Sequence, residues 1–321
     1  MVGQMSLFQP GEEDPSALEA RLAALEGVAS RLPRRLRMGT SSWAFPGWRG
    51  IVYPETCSQE HLPRDGLRHY TRHPLLGTVG IDRGFYAPIP EADLRHYAGQ
   101  LPPGFPCCTK APAAVTSSTL PGSDRTTPNG DFLRADRFVR EMLEPFARAF
   151  AGHCGPFILQ FPPFPARLAP DPESFAGQLD RFLAALPREF RYAVEIRDAY
   201  LMTKVYAEAL QRNGASHVYN YWTAMPRPGE QAATLAPSIF PFTVVRLLLR
   251  PGKRYQGEKR DLAPFNRLVR PDGEMRCEVA EIVRAGLAAG RDAFVLVNNK
   301  AEGSAPLTIE AIAEILARTT T

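Results

Sequence analysis

The stretch RYAVEIR, residues 191–197, decides how the rest of the chain is interpreted. Side chains of a strand alternate in direction, so Glu195 and Arg197 share one face while Val194 and Ile196 share the other. A buried strand that ends in a carboxylate and a guanidinium builds either a binding site or an ion pair. Seven other stretches of the chain repeat this pattern of an apolar run with a polar end, and together they predict the fold.

Eight short apolar runs alternate with helical segments from residue 37 onwards, which is the pattern of parallel βα units. The runs are 37–42, 78–83, 105–110, 156–161, 191–196, 216–220, 243–248 and 293–298. Helices are predicted near residues 62–72, 91–100, 134–151, 173–186, 202–213, 276–289 and 308–318, with only a weak one between the sixth and seventh strands. The pattern predicts an α/β fold, the (β/α)8 TIM barrel. An open doubly wound sheet is the alternative, but the turn at residues 41–46 lacks its GxGxxG motif.

An extra helix is predicted before the barrel. Asp14 and Pro15 suit an N-cap and a first helical position, and apolar residues recur at helical spacing over residues 18–28. The polar face mixes both charges, which favours packing on the outside of the domain over a membrane or partner role. The chain is therefore divided into an N-terminal extension with one amphipathic helix, residues 1–36, and a single TIM-barrel domain, residues 37–321.

The composition limits the class of protein. Of 321 residues 44% are apolar, which is enough for a full core, and 38 basic against 34 acidic residues give a net charge of only +4. The five cysteines are odd in number and show no CxxC spacing, so neither a disulfide scaffold nor a zinc ribbon is expected. No apolar run approaches the roughly 20 residues of a membrane helix, and no signal-peptide pattern is present. We expect a cytoplasmic protein without a membrane partner; the oligomeric state is not predicted.

Each predicted strand ends in polar side chains, and in a TIM barrel these ends form the site. The set is Ser41, Ser42, Trp43, Asp82, Lys110, Gln160, Glu195, Arg197, Asn220, Arg246, Asn298 and Asn299. An unpaired polar group there costs about 1–3 kcal/mol, so these residues should bond each other, water or a ligand. For any single residue, a structural ion pair such as Glu195 with Lys110 or Arg246 is an equally good interpretation. Eight polar ends together favour a site.

The residue types at these ends narrow the chemistry. None of the six histidines lies at the C-terminal end of a strand, so neither a metal nor a cofactor is expected, although Asp82 with Glu195 could hold a weakly bound Mg²⁺. Lys110, Arg197 and Arg246 against two carboxylates indicate a pocket for phosphate or carboxylate. Glu195 is the best candidate for a general base or acid, with Lys110 as its partner and Asp82 as the third catalytic candidate. A Schiff base on Lys110 is conceivable, but the sequence gives no sign of a lowered lysine pKa.

Aromatic and basic residues suggest further contacts. Basic side chains surround Tyr255 between residues 250 and 261, namely Arg250, Lys253, Arg254, Lys259 and Arg260. Such a pattern can grip phosphates and stack a base, but a solvated basic loop explains it more often, so nucleic acid is the alternative partner. Trp43 and Tyr86, close to their strand ends, could stack on a sugar or base. The predicted substrate-binding residues are Trp43, Tyr86, Gln160, Arg197, Asn220, Arg246, Tyr255 and Asn298.

Short motifs along the chain are specific in combination. They are Gly39-Thr40-Ser41-Ser42-Trp43, Ile81-Asp82, Phe85-Tyr86, Lys110-Ala111-Pro112, Leu159-Gln160-Phe161-Pro162-Pro163, Val194-Glu195-Ile196-Arg197, Arg246, Tyr255 and Asn298-Asn299. Together they resemble the YecE-like family, also called domain of unknown function 72, over about residues 38–318. The resemblance implies a TIM barrel and a pocket lined by Trp43, Asp82, Tyr86, Lys110, Gln160, Glu195, Arg197, Arg246 and Asn298. It implies no reaction, because the family's activity is not established.

The chain departs from the family pattern at several positions. The second strand contains Gly80-Ile81-Asp82 where Glu-Ile-Asn is usual, and Leu248-Leu249 replaces a His-Gly pair. Asn220 and Lys300 stand where Asp is common. If the family's chemistry needs those groups, this member is altered or inactive.

The first hypothesis is an enzyme that hydrolyses or isomerises an anionic, hydroxyl-bearing small molecule by metal-independent acid/base chemistry at the C-terminal barrel mouth. The alternative is a nucleic-acid or nucleotide-binding protein without turnover. A third interpretation, an inert scaffold, is favoured if Glu195 and Arg197 are closed off by pairing with each other.

Overall fold

The computed structural model of the chain describes residues 15–122, 126–253 and 255–318. Eight parallel strands close into a barrel in which each strand pairs with the next in sequence and the last pairs with the first. They are β1 (Leu36–Thr40), β2 (Thr78–Ile81), β3 (Cys107–Lys110), β4 (Cys154–Gln160), β5 (Tyr192–Glu195), β6 (Ser216–Tyr221), β7 (Thr243–Leu247) and β8 (Ala293–Val297). The predicted (β/α)8 TIM barrel is confirmed.

Helices surround the barrel and connect its strands. They are α1 (Pro15–Ala29), α2 (Leu62–Asp65), α3 (Leu67–Tyr70), α4 (Glu91–Ala98), α5 (Ala113–Thr116), α6 (Ala135–Phe138), α7 (Glu144–Ala149), α8 (Pro172–Ala184), α9 (Lys204–Arg212), α10 (Pro228–Thr234), α11 (Tyr255–Leu262), α12 (Gly273–Ala288) and α13 (Ala305–Ala317). Side-chain caps fix three of the starts: Asp171 accepts from Ser174 N at 2.8 Å before α8, Thr203 accepts from Tyr206 N at 3.4 Å before α9, and Asp272 accepts from Met275 N at 2.9 Å before α12. In the three described ranges, no helix has the length and apolar content needed to cross a membrane.

The predicted N-terminal helix is present as α1, although Asp14, its predicted N-cap, lies outside the described residues. The half-buried residues of α1 lie on one face, where Leu25 and Val28 pack against the core. Arg21 on the same helix donates to Glu310 of α13 at 2.5 Å. The helix therefore docks on the outside of the barrel.

Three connections differ from the prediction. The helix predicted near residues 62–72 is divided into the two short helices α2 and α3. The segment 250–261, expected to be a basic loop, contains the helix α11. The stretch has few apolar residues, so the periodicity that indicates a helix is nearly absent from it. The predicted helix 134–151 is interrupted by a π-helical turn, Val139–Leu143, between α6 and α7. These differences change the outer layer and leave the barrel as predicted.

The inside of the barrel holds its own apolar cluster, separate from the core between strands and helices. Its members are Cys108, Ile158, Ala193, Val218, Phe242, Val244, Phe294 and Leu296. Because side chains alternate along a strand, the residue two positions further on faces the same side. Lys110, Gln160, Glu195, Asn220, Arg246 and Asn298 each follow a member of this cluster by two positions. The polar strand ends therefore form the layer directly above the apolar filling.

Candidate functional site

Charged side chains close the C-terminal end of the barrel. We call Asp82, Lys110, Glu195, Arg197 and Arg246 the mouth cluster. Arg197 Nε donates to Glu195 Oε1 at 2.6 Å, and Arg246 Nη1 donates to Glu195 Oε2. Arg246 Nη2 also lies 3.4 and 3.5 Å from the two carboxylate oxygens of Asp82. One chain of ion pairs thus links the ends of β2, β5 and β7.

Glu195 is fully buried between the two arginines, and both of its oxygens are occupied. Burial alone would raise the pKa of Glu195, but Arg197 and Arg246 outweigh burial and lower the pKa to about 2. A carboxylate that stays ionised and has no open oxygen is well suited to holding two arginines. It is poorly suited to exchanging a proton with a substrate. The role of Glu195 as general base or acid stays a prediction, and this geometry favours a positioning role.

Lys110, at the end of β3, is half-buried and lacks an ion pair with any described residue. Its Nζ lies 3.4 Å from the centre of the Phe85 ring, and an aromatic face attracts a cation without accepting a proton. Burial is the largest cause that lowers the pKa of Lys110 to about 8; Arg246 and Arg197 act in the same direction, while Asp82 and Glu195 oppose them. The charge of this amine therefore changes close to neutral pH.

The mouth cluster carries more positive than negative charge. Three cations face two carboxylates, so one positive charge is left over when all five groups are ionised. The guanidinium of Arg197 stacks on Trp222, with Cζ 3.8 Å from the ring centre, and its Nη2 donates to Gln160 at 3.3 Å. Charges kept away from water interact more strongly. The end of the barrel therefore has a net positive charge when all five groups are ionised.

A cleft of about 730 Å³ opens beside the mouth cluster, between the ends of β1 and β2 and the helix α4. Asp82 lines this cleft, and 36% of its side chain is exposed. The indole of Trp43 also lines the cleft; it packs edge-on against Tyr97, and its buried Nε1 has no hydrogen-bond partner in the described parts of the chain. A buried donor without a partner calls for an acceptor, and a ligand oxygen in the cleft would supply one.

The fold and motifs place the chain in a family. The model of the family described as "Protein of unknown function DUF72" matches residues 37–321. The chain belongs to the DUF72 family. This finding confirms the resemblance that the sequence motifs indicate.

Solved structures of other DUF72 family proteins share the fold. One from Thermotoga maritima MSB8 is 20% identical, with a TM-score of 0.62 over 88% of this chain and 98% of that chain. Another, from Enterococcus faecalis V583, is 15% identical, with a TM-score of 0.58 over 88% of this chain and 97% of that chain. Similarity at these identities supports the fold alone. No curated protein matches the chain.

Several predicted site residues of this DUF72 protein lie apart from the mouth cluster or are tied to the backbone. Tyr86 is 84% exposed and contacts the edge of the Phe85 ring. Asn220 is fully buried, and its Nδ2 donates to Ile196 O at 2.9 Å. The side chain of Tyr255, the first residue of α11, lies outside the described part. Their contacts with a substrate stay predictions.

Asn298 and Gln160 are better placed. Asn298 is half-buried at the end of β8, and its Oδ1 accepts from the Lys300 backbone N–H at 3.1 Å and from Lys300 Nζ at 3.3 Å. Gln160 is 8% exposed and touches the mouth cluster through Arg197. Both residues lie in the same layer of the barrel as Glu195, at the rim of the mouth.

The strand-end rule missed some residues of the site. Trp222 was detectable, because it follows Asn220 by two positions and so shares its interior face. Phe85, which contacts Lys110, stands out in the sequence only as part of the Phe85-Tyr86 motif, and that motif does not indicate a contact with the lysine. His96 and Tyr97 line the cleft from α4, and no strand-end pattern indicates a helix residue.

The basic segment expected to attract nucleic acid is partly neutralised. Arg250 pairs with Asp272 at 3.3 Å, and Arg260 pairs with Asp261 at 3.2 Å. Arg254 and the side chain of Lys259 lie outside the described residues. The free positive charge of this segment is therefore smaller than its composition indicates.

The donor set of the mouth does not suit a metal ion. Within residues 15–122, 126–253 and 255–318, no three or more His, Cys, Asp and Glu side chains are arranged to hold one. Asp82 and Glu195, the pair considered for Mg²⁺, both pair with Arg246. A cation between these carboxylates would meet a buried guanidinium.

Proposed function

We propose that this DUF72 protein is a metal-independent enzyme that binds an anionic, hydroxyl-bearing small molecule at the barrel mouth and hydrolyses or isomerises it by acid/base chemistry. The observation that carries the proposal is the amine of Lys110, which is largely desolvated, has no carboxylate partner among the described residues and lies beside surplus positive charge. A structural lysine in such a place would ordinarily be paired.

The charged residues of the mouth cluster are assigned different roles according to their exposure and their existing ion pairs. Asp82 faces the cleft and makes only long contacts with Arg246, so it is free to take a proton from a substrate hydroxyl. Lys110, with a pKa of about 8, gives or receives the second proton. Glu195 holds Arg197 and Arg246, whose charges attract the anion. This assignment moves the proton transfer from Glu195, which the sequence favours, to Asp82 and Lys110.

The two other interpretations have less support. Glu195 and Arg197 do pair with each other, as an inert scaffold requires, but that pairing leaves Lys110 and the cleft-facing Asp82 outside it. The nucleic-acid alternative depends on the segment at residues 250–261, where Arg250 and Arg260 are already engaged by carboxylates.

The test is a thermal-shift screen of metabolites, sugar phosphates and oligonucleotides on the wild type, Lys110→Ala and Lys204→Ala. A ligand at a hundred times its Kd adds about 2.7 kcal/mol to the free energy of unfolding. We expect an anionic small molecule to raise the Tm of the wild type and of Lys204→Ala, whose lysine is exposed on α9, but not that of Lys110→Ala. The stabilising compound then becomes the substrate of a turnover assay. Stabilisation by oligonucleotides alone, equal in all three proteins, would show that the mouth is not the site.

A further inference from the structure

Among the described residues, neither carboxylate of the mouth cluster forms an ion pair with Lys110. Glu195 gives both oxygens to Arg197 and Arg246, and Asp82 is drawn towards Arg246. The lysine instead lies against Phe85, a ring that accepts no proton. A carboxylate partner would hold the proton on the amine, whereas this arrangement lets the amine release it.

A neutral lysine amine is a nucleophile, and its natural reaction partner is a carbonyl carbon. The surplus positive charge next to Lys110 attracts an anion to the same place. The cleft is lined by Asp82 of the same cluster and by Trp43, whose indole N–H has no hydrogen-bond partner in the described parts of the chain. A small molecule that carries both an anionic group and a carbonyl group would satisfy all three features.

We propose that Lys110 forms a Schiff base with an aldehyde or ketone that also bears a carboxylate or phosphate. The proposal rests on the proposed function, because it uses the same anion site, and it names the class of substrate. The neutral amine adds to the carbonyl carbon, and the carbonyl oxygen takes a proton to give a carbinolamine. Loss of one water then leaves the imine, so that one amine and one carbonyl yield one imine and one water.

Asp82 is the positioned acid/base group for these proton transfers. It lines the cleft with an exposed carboxylate, on the strand next to that of Lys110. Once protonated, the imine withdraws electrons from the adjacent carbon, and Asp82 can remove a proton from that carbon. Return of a proton from water to the other face of the same carbon restores the imine, and hydrolysis then releases the epimerised carbonyl compound and the free lysine amine, which completes an isomerisation. The hydroxyl group expected of the substrate is then the substituent whose configuration changes at that carbon.

The chain suits a labelling test because it has few lysines, namely Lys110, Lys204, Lys253, Lys259 and Lys300. The probe is glyoxylate, an anionic aldehyde, with cyanoborohydride at pH 7 and peptide mass mapping over time. We expect Lys110 to be carboxymethylated roughly tenfold or more faster than the exposed Lys204, because more of its amine is neutral at this pH. Formaldehyde, which is neutral, should show a smaller preference for Lys110.

Two variants act as matched controls. Lys110→Arg keeps the charge and should lose only its own label, while Lys204→Arg should keep the label on Lys110. The comparison between the two lysines within the wild type needs no variant to fold. Labelling of Lys110 no faster than Lys204 by glyoxylate would overturn the Schiff base.

The thermal-shift screen separates this failure from failure of the proposed function. If an anion stabilises the wild type but not Lys110→Ala, and glyoxylate does not favour Lys110, the acid/base proposal stands and the imine is wrong. If neither effect is observed, both proposals fail.

Discussion

The two ends of the barrel contain the same kinds of charge in opposite surroundings. At the N-terminal end, Arg191 pairs with Asp292 at 2.8 Å, with 49% and 35% of the side chains exposed. At the C-terminal end, the side chains of Arg197, Arg246 and Glu195 are 5%, 1% and 0% exposed. One pair is solvated, and the other set is removed from water.

The side chains that fill the barrel next to each end also differ, being apolar at the N-terminal end and charged at the C-terminal end. The guanidinium of Arg191 lies 5.8 Å from the centre of the Phe242 ring and 6.0 Å from that of Phe294, so the N-terminal end has an apolar plug. Removing charges from water costs several kcal/mol per ion, and a well-packed apolar layer of the same volume is often at least as stable. Buried charge at the C-terminal end is therefore poorly explained by stability alone. The proposed site for an anionic substrate would account for it.

The largest expected effect is the loss of the buried counter-charge. Glu195→Gln leaves Arg197 and Arg246 buried without their main ionic partner, so we expect the free energy of unfolding to fall by about 3–5 kcal/mol. The matched change at the other end, Asp292→Asn, removes the partner of an exposed arginine and should cost at most about 1 kcal/mol. Urea denaturation at pH 7 measures both. Equal losses would mean that the two ends do not differ as described.

The sequence predicts the fold and the position of the mouth for one physical reason. Side chains alternate along a strand, and a polar residue two positions after a buried apolar one must lie on the same interior face. This rule places Lys110 above Cys108 and Glu195 above Ala193 before any coordinates are known. It needs no knowledge of neighbouring strands.

The choice of partners within the mouth could not be predicted. The sequence allows Glu195 to pair with Lys110, with Arg246 or, in an inert scaffold, with Arg197, and the structure pairs it with both arginines and not with the lysine. Which cation reaches the carboxylate depends on distances across the closed barrel. Burial is the main cause of the lowered pKa of Lys110, and because the arginines pair with the carboxylates, no ion pair among the described residues offsets it. A sequence shows the charges present and leaves their pairing open.

The second-largest expected loss of stability is at the C-terminal end of the barrel, where β2 closely approaches the end of β1. A Cβ on Gly80 would lie 2.7 Å from Ser41 O and 2.9 Å from Ser41 Cα, which are backbone atoms that cannot move aside. Gly80→Ala should therefore cost about 1–3 kcal/mol. Gly152→Ala, near the N-terminal end of β4, has open space around the new methyl group and should change stability little. The same denaturation experiment compares them, and a tolerated Gly80→Ala would contradict the packing of β1 against β2.

The same close contact limits which side chains position 80 can carry, and this position departs from the family pattern. Where the family usually has Glu, a longer side chain at Gly80 would have to displace the backbone of Ser41. Gly80 lines the cleft and, having no side chain, does not fill it. The missing carboxylate thus makes room beside Asp82.

The smallest expected change in the free energy of unfolding is an increase. Lys110 holds a poorly solvated charge, so Lys110→Met should raise the free energy of unfolding at pH 7 by about 1–2 kcal/mol, whereas the exposed Lys204→Met should change it little. Below pH 8 Lys110 is charged in both the folded and unfolded protein, and the cost of burying the charge is complete. As the pH rises from about 8 towards the ordinary lysine pKa of about 10.4, the folded protein loses the proton first, so stability of the wild type rises relative to Lys110→Met.

Thermal unfolding of the wild type and both variants at pH 7 and pH 10 measures this difference. We expect Lys110→Met, but not Lys204→Met, to be more stable than the wild type at pH 7, by a margin that becomes smaller at pH 10. This result would show that the charged amine of Lys110 lowers the stability of the folded protein. Such a lysine differs from Glu195, whose loss should destabilise the same cluster, because Glu195 compensates buried charge and Lys110 adds to it. If Lys110→Met instead lowers stability as Glu195→Gln does, the amine is part of the structural pairing, and the chemical role proposed for it loses its physical basis.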